Sequence, residues 1–315
     1  MNGIGLVLAG GGGKGAYQIG VWKAARELGI DKKITAVSGA SVGALNAALF
    51  ANGNYTDAEK IWLEITPEKI LTPRETVFET LEGVIHTALK GLESPESLVS
   101  AVIKRAGEGV WSRHGLEEMI SSYVDLNAVS RSDMQVFASC TSISRMETEF
   151  FKLNGLPADE IEKILIASSA IPVVFPNQKI NGDVYIDGGV LGKEGNVPVK
   201  PLYDAGYRNI IIIYLSEKDK IDKSLYYGAD IIEIVPHMGL GSFVDGTLDF
   251  SSSGAKARLL QGYQEAHAIF ARRRPARLST PTFTKYKYFS LQSPLSRGRQ
   301  GCRTAMIHSI SNLPP

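Results

Sequence analysis

Cysteine is nearly absent from this sequence: Cys140 and Cys302 are the two in 315 residues. Neither forms part of a Cys-x-x-Cys pair or a Cys/His cluster, which argues against a disulfide framework and a thiolate metal site. Cys140 closes the apolar run Val136–Cys140 and reads as a small buried hydrophobe. Net charge is also close to nil, at +1, so no global field points to nucleic acid, which is not expected as a partner. No apolar stretch approaches the ~20 residues of a membrane span. Met1–Ile4 lack the basic segment and apolar core of a cleavable signal, so the expected location is the cytoplasm, with peripheral contact at membranes compatible with it. Acidic residues run out late in the chain, Glu265 being the only one after Asp249. From Arg272 onward the composition turns to Arg, Pro, Ser and Thr, and residues 272–315 are expected to form a basic, poorly ordered tail.

What is present is ordinary globular material, 44% apolar and 21% charged, in a chain long enough to bury a sizeable core. The run Ile4–Ala9 is short, apolar and stopped by glycines, as in a buried strand. Residues 15–28 read as helix, Ile34–Ser38 as a second strand, and Ser41 to about Ala51 as a tightly packed helix of small apolar residues. Strand, glycine turn, helix, strand, turn, helix is the rhythm of a parallel sheet covered by helices, an α/β fold. Further strands are expected at Gln135–Thr141, Glu149–Leu153, Val184–Ile186, Asn209–Leu215 and Asp230–Val235. Further helices are expected at Ala158–Ala167, Val199–Ala205 and Gly254–Ala271. Residues 56–125 read as a helical insertion with no convincing strand. Within it Val77, Leu81, Val84, Ile85, Ala88, Leu89 and Leu92 share one helical face, as in a lid or a covering helix.

Three motifs carry chemistry. Gly39-Ala40-Ser41-Val42-Gly43 is a Gly-x-Ser-x-Gly pattern between an apolar strand and a helix. A sharp strand-to-helix turn projects a serine hydroxyl into solvent, and the helix N-terminus favours negative charge there. Gly10-Gly11-Gly12-Gly13-Lys14-Gly15 ends the first strand. Successive glycines let backbone N–H groups converge on a small anion, a phosphate or a transition-state oxyanion. Gly10, Gly12 and Gly15 also satisfy the dinucleotide pattern, but the next strand ends Val37-Ser38-Gly39 without the acidic residue that would hold a ribose. A P-loop would need Ser or Thr after Lys14, where Gly15 stands. Asp187-Gly188-Gly189 follows Val184–Ile186; alone it would signify a hairpin corner.

Together the glycine loop, Gly-x-Ser-x-Gly and Asp-Gly-Gly resemble the patatin-like phospholipase family. Ala167–Pro172, Phe175-Pro176 and Asn196-Val197-Pro198 look like that family's linking segments, and the resemblance spans residues 4 to about 271. It implies a three-layer α/β/α fold with a mainly parallel central sheet, residues 1–271 forming one domain with the helical insertion at about 56–125. It also implies hydrolysis of lipid acyl esters through an acyl-enzyme and a Ser–Asp dyad without histidine. Carried over, Ser41 is the nucleophile, Asp187 the base, and Gly11, Gly12 and Gly13 the oxyanion-hole candidates. Gly10, Lys14, Gly15, Gly39, Gly43, Gly188 and Gly189 support these motifs. Many members have arginine where Lys14 stands, so the charge is kept while the planar fork is lost. The implied substrate is a lipid or ester, reached by transient contact with a membrane surface; no cofactor and no metal are implied.

Two rival readings share the serine turn. A Ser41–Asp187–His237 triad fits the chain order of α/β-hydrolases, although here the serine turn follows the second strand and the glycine loop the first. An acyltransferase would need a histidine base and an acceptor that outcompetes water. His86, His114, His267 and His308 fall in no motif.

Overall fold

The computed structural model describes residues 3–73 and 111–273. The chain divides into two compact units, residues 1–274 and 275–315, and the expected tail falls almost wholly outside the described residues. So does the apolar stripe from Val77 to Leu92.

Alternation within single strands builds the layers. In β1 (Ile4–Leu8), Leu6 and Leu8 join one core cluster while Val7, with Ala9 beyond the strand, joins another. In β9 (Asn209–Ile213), Ile211 and Ile213 face the first cluster, and Ile210 and Ile212 the second. Successive side chains of a strand point to opposite faces, so a sheet with both faces greasy must be covered twice. The larger cluster contains α1 (Ala16–Glu27), α2 (Val42–Asn52), α3 (Tyr55–Glu64) and the helices Ala158–Ser168 and Ser252–Arg273. The smaller one is closed by Val197, Val199, Leu202 and Tyr207, around the short helix Lys200–Asp204. The result is the expected three-layer α/β/α arrangement.

β1, β2 (Ile34–Ala40), β5 (Gln135–Ser142), β9 and β10 (Asp230–Ile234) run parallel in the order β10-β9-β1-β2-β5. The chain builds outward from β1 through β2 to β5 and later returns to place β9 on the other side of β1. A crevice therefore opens beyond the C-terminal ends of β1 and β9, where the strand order reverses. β6 (Glu147–Lys152), β7 (Gln178–Ile180) and β8 (Asp183–Asp187) are antiparallel additions.

The position of β8 decides the site. Residues 137–139 of β5 pair with β2 on one edge and with β6 on the other. Residues 140–142 pair with β6 and with β8. A strand has two edges, so β8 occupies the edge that β2 vacates at Ser41. Ala40 is opposite Ser139 and Asp187 opposite Cys140, so the two strands meet nearly end to end.

Most expected elements agree to within two residues at their ends. β7 was outside the expected set, and helix Ser252–Arg273 extends past both expected ends. The expectation of no strand in 56–125 is modified by one short antiparallel pairing, β3 (Thr72–Pro73) with β4 (Trp111–Ser112). Two-residue strands are too short to show an alternating pattern. The described helices of that region are α3, Pro67–Ile70 and His114–Tyr123.

Candidate active site

Ser41 leaves β2 at φ 54°, ψ −128°, an unfavourable conformation for a residue with a Cβ, and caps the N-terminus of α2. Such a backbone costs about 1–3 kcal/mol and persists only where its surroundings impose it. The flanking glycines allow that imposition. A Cβ on Gly39 would overlap the Gly43 carbonyl, and one on Gly43 would overlap that of Leu8, so β1, β2 and α2 close tightly around the turn. The Ser41 N–H donates to the buried Ser168 hydroxyl at 2.9 Å.

Asp187 ends β8. Its own N–H donates to the Ala170 carbonyl at 3.0 Å, so the segment 168–170 touches both strand ends. Asp187 Oδ1 accepts the Gly189 N–H at 2.8 Å. Among the described residues, the buried Oδ2 has no partner in full hydrogen-bond geometry. Burial pushes the carboxyl pKa up from 3.8 to about 6, with the nearby Ser41 hydroxyl and the Gly189 N–H opposing the rise. The Ser41 hydroxyl thus approaches the carboxyl closely enough to favour its ionised form without a hydrogen bond of full geometry.

Ser41 stands where two cavities meet. One, about 50 Å³, has an almost wholly apolar lining that includes Leu45, Leu49, Trp62, Ile70 and Phe250. Gly12 and Ser169 also line it, and Ser169 Oγ is buried without a partner among the described residues. The other, about 390 Å³, is open and polar. It holds Asp187, Lys14, Asp219, Ser216 and Asn196, with Gly10, Gly11 and Gly189 in its wall. Partial burial lowers the Lys14 pKa, although Asp219 pulls it upward. Burial raises that of Asp219 against the attraction of Lys14 and Lys193 and a hydrogen bond with the Asn196 side chain.

The glycine loop divides its work. The Gly10 N–H donates to the Asn196 carbonyl at 3.1 Å and is therefore committed. The N–H groups of Gly11, Gly12 and Gly13 donate to no backbone acceptor among the described residues. Gly11 lines the polar cavity and Gly12 the apolar one, whereas the Gly13 carbonyl accepts from Arg258. Gly15 packs against Val42 and Trp62, and its carbonyl accepts from Asn46 Nδ2 at 3.1 Å. Gly188 lies against Ser139. The expected residues thus converge, apart from Gly13, Gly15, Gly39, Gly43 and Gly188, which line neither cavity.

His237 does not join them. It is exposed, lines neither cavity, and its backbone N–H donates to Glu265. Ser168 and Asn196 fall in the linking segments, which assign them no role, and the motifs miss Asp219 and the network of Gln18, Asn46 and Trp62 beneath the loop. Asn46 had a sequence signal: it is the one polar side chain inside an otherwise apolar helix before Asn52. Asp219 and Arg258 had none, because each reaches the site through a fold contact far away in sequence.

Comparison with known proteins finds relatives in sequence and in fold. The lysophospholipase NTE1 of Cryptococcus neoformans is 23% identical over 219 residues, which are 69% of this chain and 11% of that protein. The mouse patatin-like phospholipase domain-containing protein 7 is 24% identical over 225 residues, 71% of this chain and 14% of that protein. The chain therefore spans only a small part of the length of these relatives. The crystal structure of VipD from Legionella pneumophila superposes with a TM-score of 0.51 at 17% identity, covering 86% of this chain and 67% of that one, a likeness of fold. The family model described as patatin-like phospholipase matches residues 6–203, from β1 past the serine turn and Asp187 to the helix that closes the second face, and the chain belongs to that family.

Proposed function

We propose that the protein is a serine lipid acyl hydrolase working through Ser41 and Asp187. The observation that carries this reading is the end-to-end meeting of β2 and β8, which sets a strained serine beside a buried, unpaired carboxylate oxygen at the junction of an apolar and a polar cavity. The apolar cavity suits the acyl chain and the polar one the leaving alcohol or headgroup. Asp187 accepts the Ser41 proton as Oγ attacks the ester carbonyl. The Gly11 and Gly12 N–H groups, at the N-terminal end of the loop, stabilise the oxyanion. Asp187 then returns the proton to the leaving alcohol, and water releases the acyl group by the same route reversed.

Contact with a lipid surface is the partner reading. Phe243 lines the polar cavity and is half exposed; Val244 and Met238 nearby in sequence are more so, at 73% and 67%. Among the described residues no helix is long and apolar enough to cross a membrane.

Fluorophosphonate labelling tests the nucleophile. The wild type should be labelled at Ser41 and hydrolyse a short water-soluble ester, while Ser41→Ala does neither. Labelling at another serine, or ester turnover retained in Ser41→Ala, would overturn the reading.

A further inference from the structure

We infer that Arg258 is a positioning residue for the oxyanion loop, an inference that rests on the hydrolase reading. Arg258 belongs to helix Ser252–Arg273, outside the stretch 6–203 matched by the family model. Its side chain is buried, which for a guanidinium requires partners for its donors. Nη1 donates to the Asp249 carbonyl at 2.9 Å and to the Gly13 carbonyl at 3.3 Å. Nη2 donates to the Asp245 carbonyl at 2.9 Å and to the Asp249 carboxylate at 2.7 Å. One planar fork thus joins the glycine loop to both ends of the segment 245–249.

That segment is the loop's outer wall. A Cβ on Gly12 would overlap the Thr247 carbonyl, and one on Gly13 that of Asp249. Gly12 is held at φ 55° against this wall, in the left-handed region that favours glycine. The path of the Gly12–Gly13 backbone is therefore set from outside by the Thr247 and Asp249 carbonyls, and Arg258 ties the Gly13, Asp245 and Asp249 carbonyls together. An oxyanion hole works by donors held in place before charge develops, so loosening the wall should weaken the transition state more than the ground state. Lysine keeps the charge but cannot serve four acceptors in one plane.

The test compares wild type, Arg258→Lys and Asp249→Asn on a short soluble ester, with binding of two inhibitors. A short-chain trifluoromethyl ketone adds Ser41 Oγ to its carbonyl and leaves an oxyanion in the loop. The matching trifluoromethyl carbinol occupies the same cavities and forms no oxyanion. Arg258→Lys should lower kcat at least tenfold with KM within about twofold. Ketone affinity should fall by the same factor as kcat/KM, and carbinol affinity should stay unchanged. Asp249→Asn, which keeps the arginine and removes the carboxylate that Nη2 meets, should move in the same direction by a smaller factor, and it decides the matter if Arg258→Lys does not fold. Wild-type kcat and ketone affinity in a folded variant would overturn the inference. So would equal loss of ketone and carbinol affinity, which would mark Arg258 as general scaffold. If the wild type itself shows no Ser41-dependent reaction with fluorophosphonate, the hydrolase reading fails first, and the role of Arg258 falls with it.

Discussion

The role proposed for Asp187 as base rests on its environment. A carboxylate in water near pKa 3.8 is a weak base; burial lifts this one to about 6, closer to the pH at which a serine proton must be taken. The ester kcat/KM should rise with pH through an apparent pKa near 6 and level off above it; a profile flat from pH 4.5 to 8 would remove Asp187 as base. The stability sign is the reverse. The folded state binds this proton more tightly than the unfolded chain, so the contribution is present below about pH 4 and is lost as pH rises through about 6. Above that, the ionised, buried group costs up to about 3 kcal/mol. Asp187→Asn should therefore melt higher than wild type at pH 8, with the two converging near pH 4, while losing on the order of 10³-fold in kcat. The double variant with Ser41→Ala should be little worse than either single one, because the pair acts as a unit. His237 is exposed and lines neither cavity, so His237→Ala should leave kcat within a few-fold.

Elements place these residues by close approach of backbone to backbone. α1 and helix Ser252–Arg273 cross where Gly20 lies against the Leu259 carbonyl and Gly262 against that of Tyr17. The crossing brings Arg258 to the glycine loop, one residue away from Leu259. A methyl at Gly20 would collide with rigid backbone, an overpacking cost of about 1–3 kcal/mol. Gly20→Ala should lower the melting temperature by roughly 2–12 °C, read by thermal unfolding; an unchanged value would mean that the helices part without strain. At this scale the sequence was legible in its regular elements, since alternating and helical periods mark β1, β2, β9, α1 and the long last described helix. It was less so for β7, three residues long, although Asn181-Gly182 at its turn, both at positive φ, is a hairpin signal in the sequence.

Across the molecule, the two cavities share Ser41 and Ile171, and the polar one opens beside the exposed Phe243–Val244 turn. If a lipid surface is met there, Val244→Asp should reduce turnover of vesicle-borne phospholipid by at least fivefold and leave the short soluble ester within twofold. Equal effects on both substrates would place the surface contact elsewhere. The sequence by itself determined the chemistry-bearing residues: glycines whose spacing permits a serine turn, a glycine loop after the first strand, and an aspartate ending a later strand. These are local features, fixed by steric limits within a few residues. Only the tertiary structure decided that β8 runs antiparallel along the edge vacated by β2, that Asn196 and Asp219 come to the same crevice with Arg258 behind the glycine loop, and that His237 lines neither cavity. Those outcomes depend on strand pairing and helix packing between segments distant in sequence, from Cys140 against Asp187 to Gly13 against Arg258, for which no local pattern in one chain carries the information.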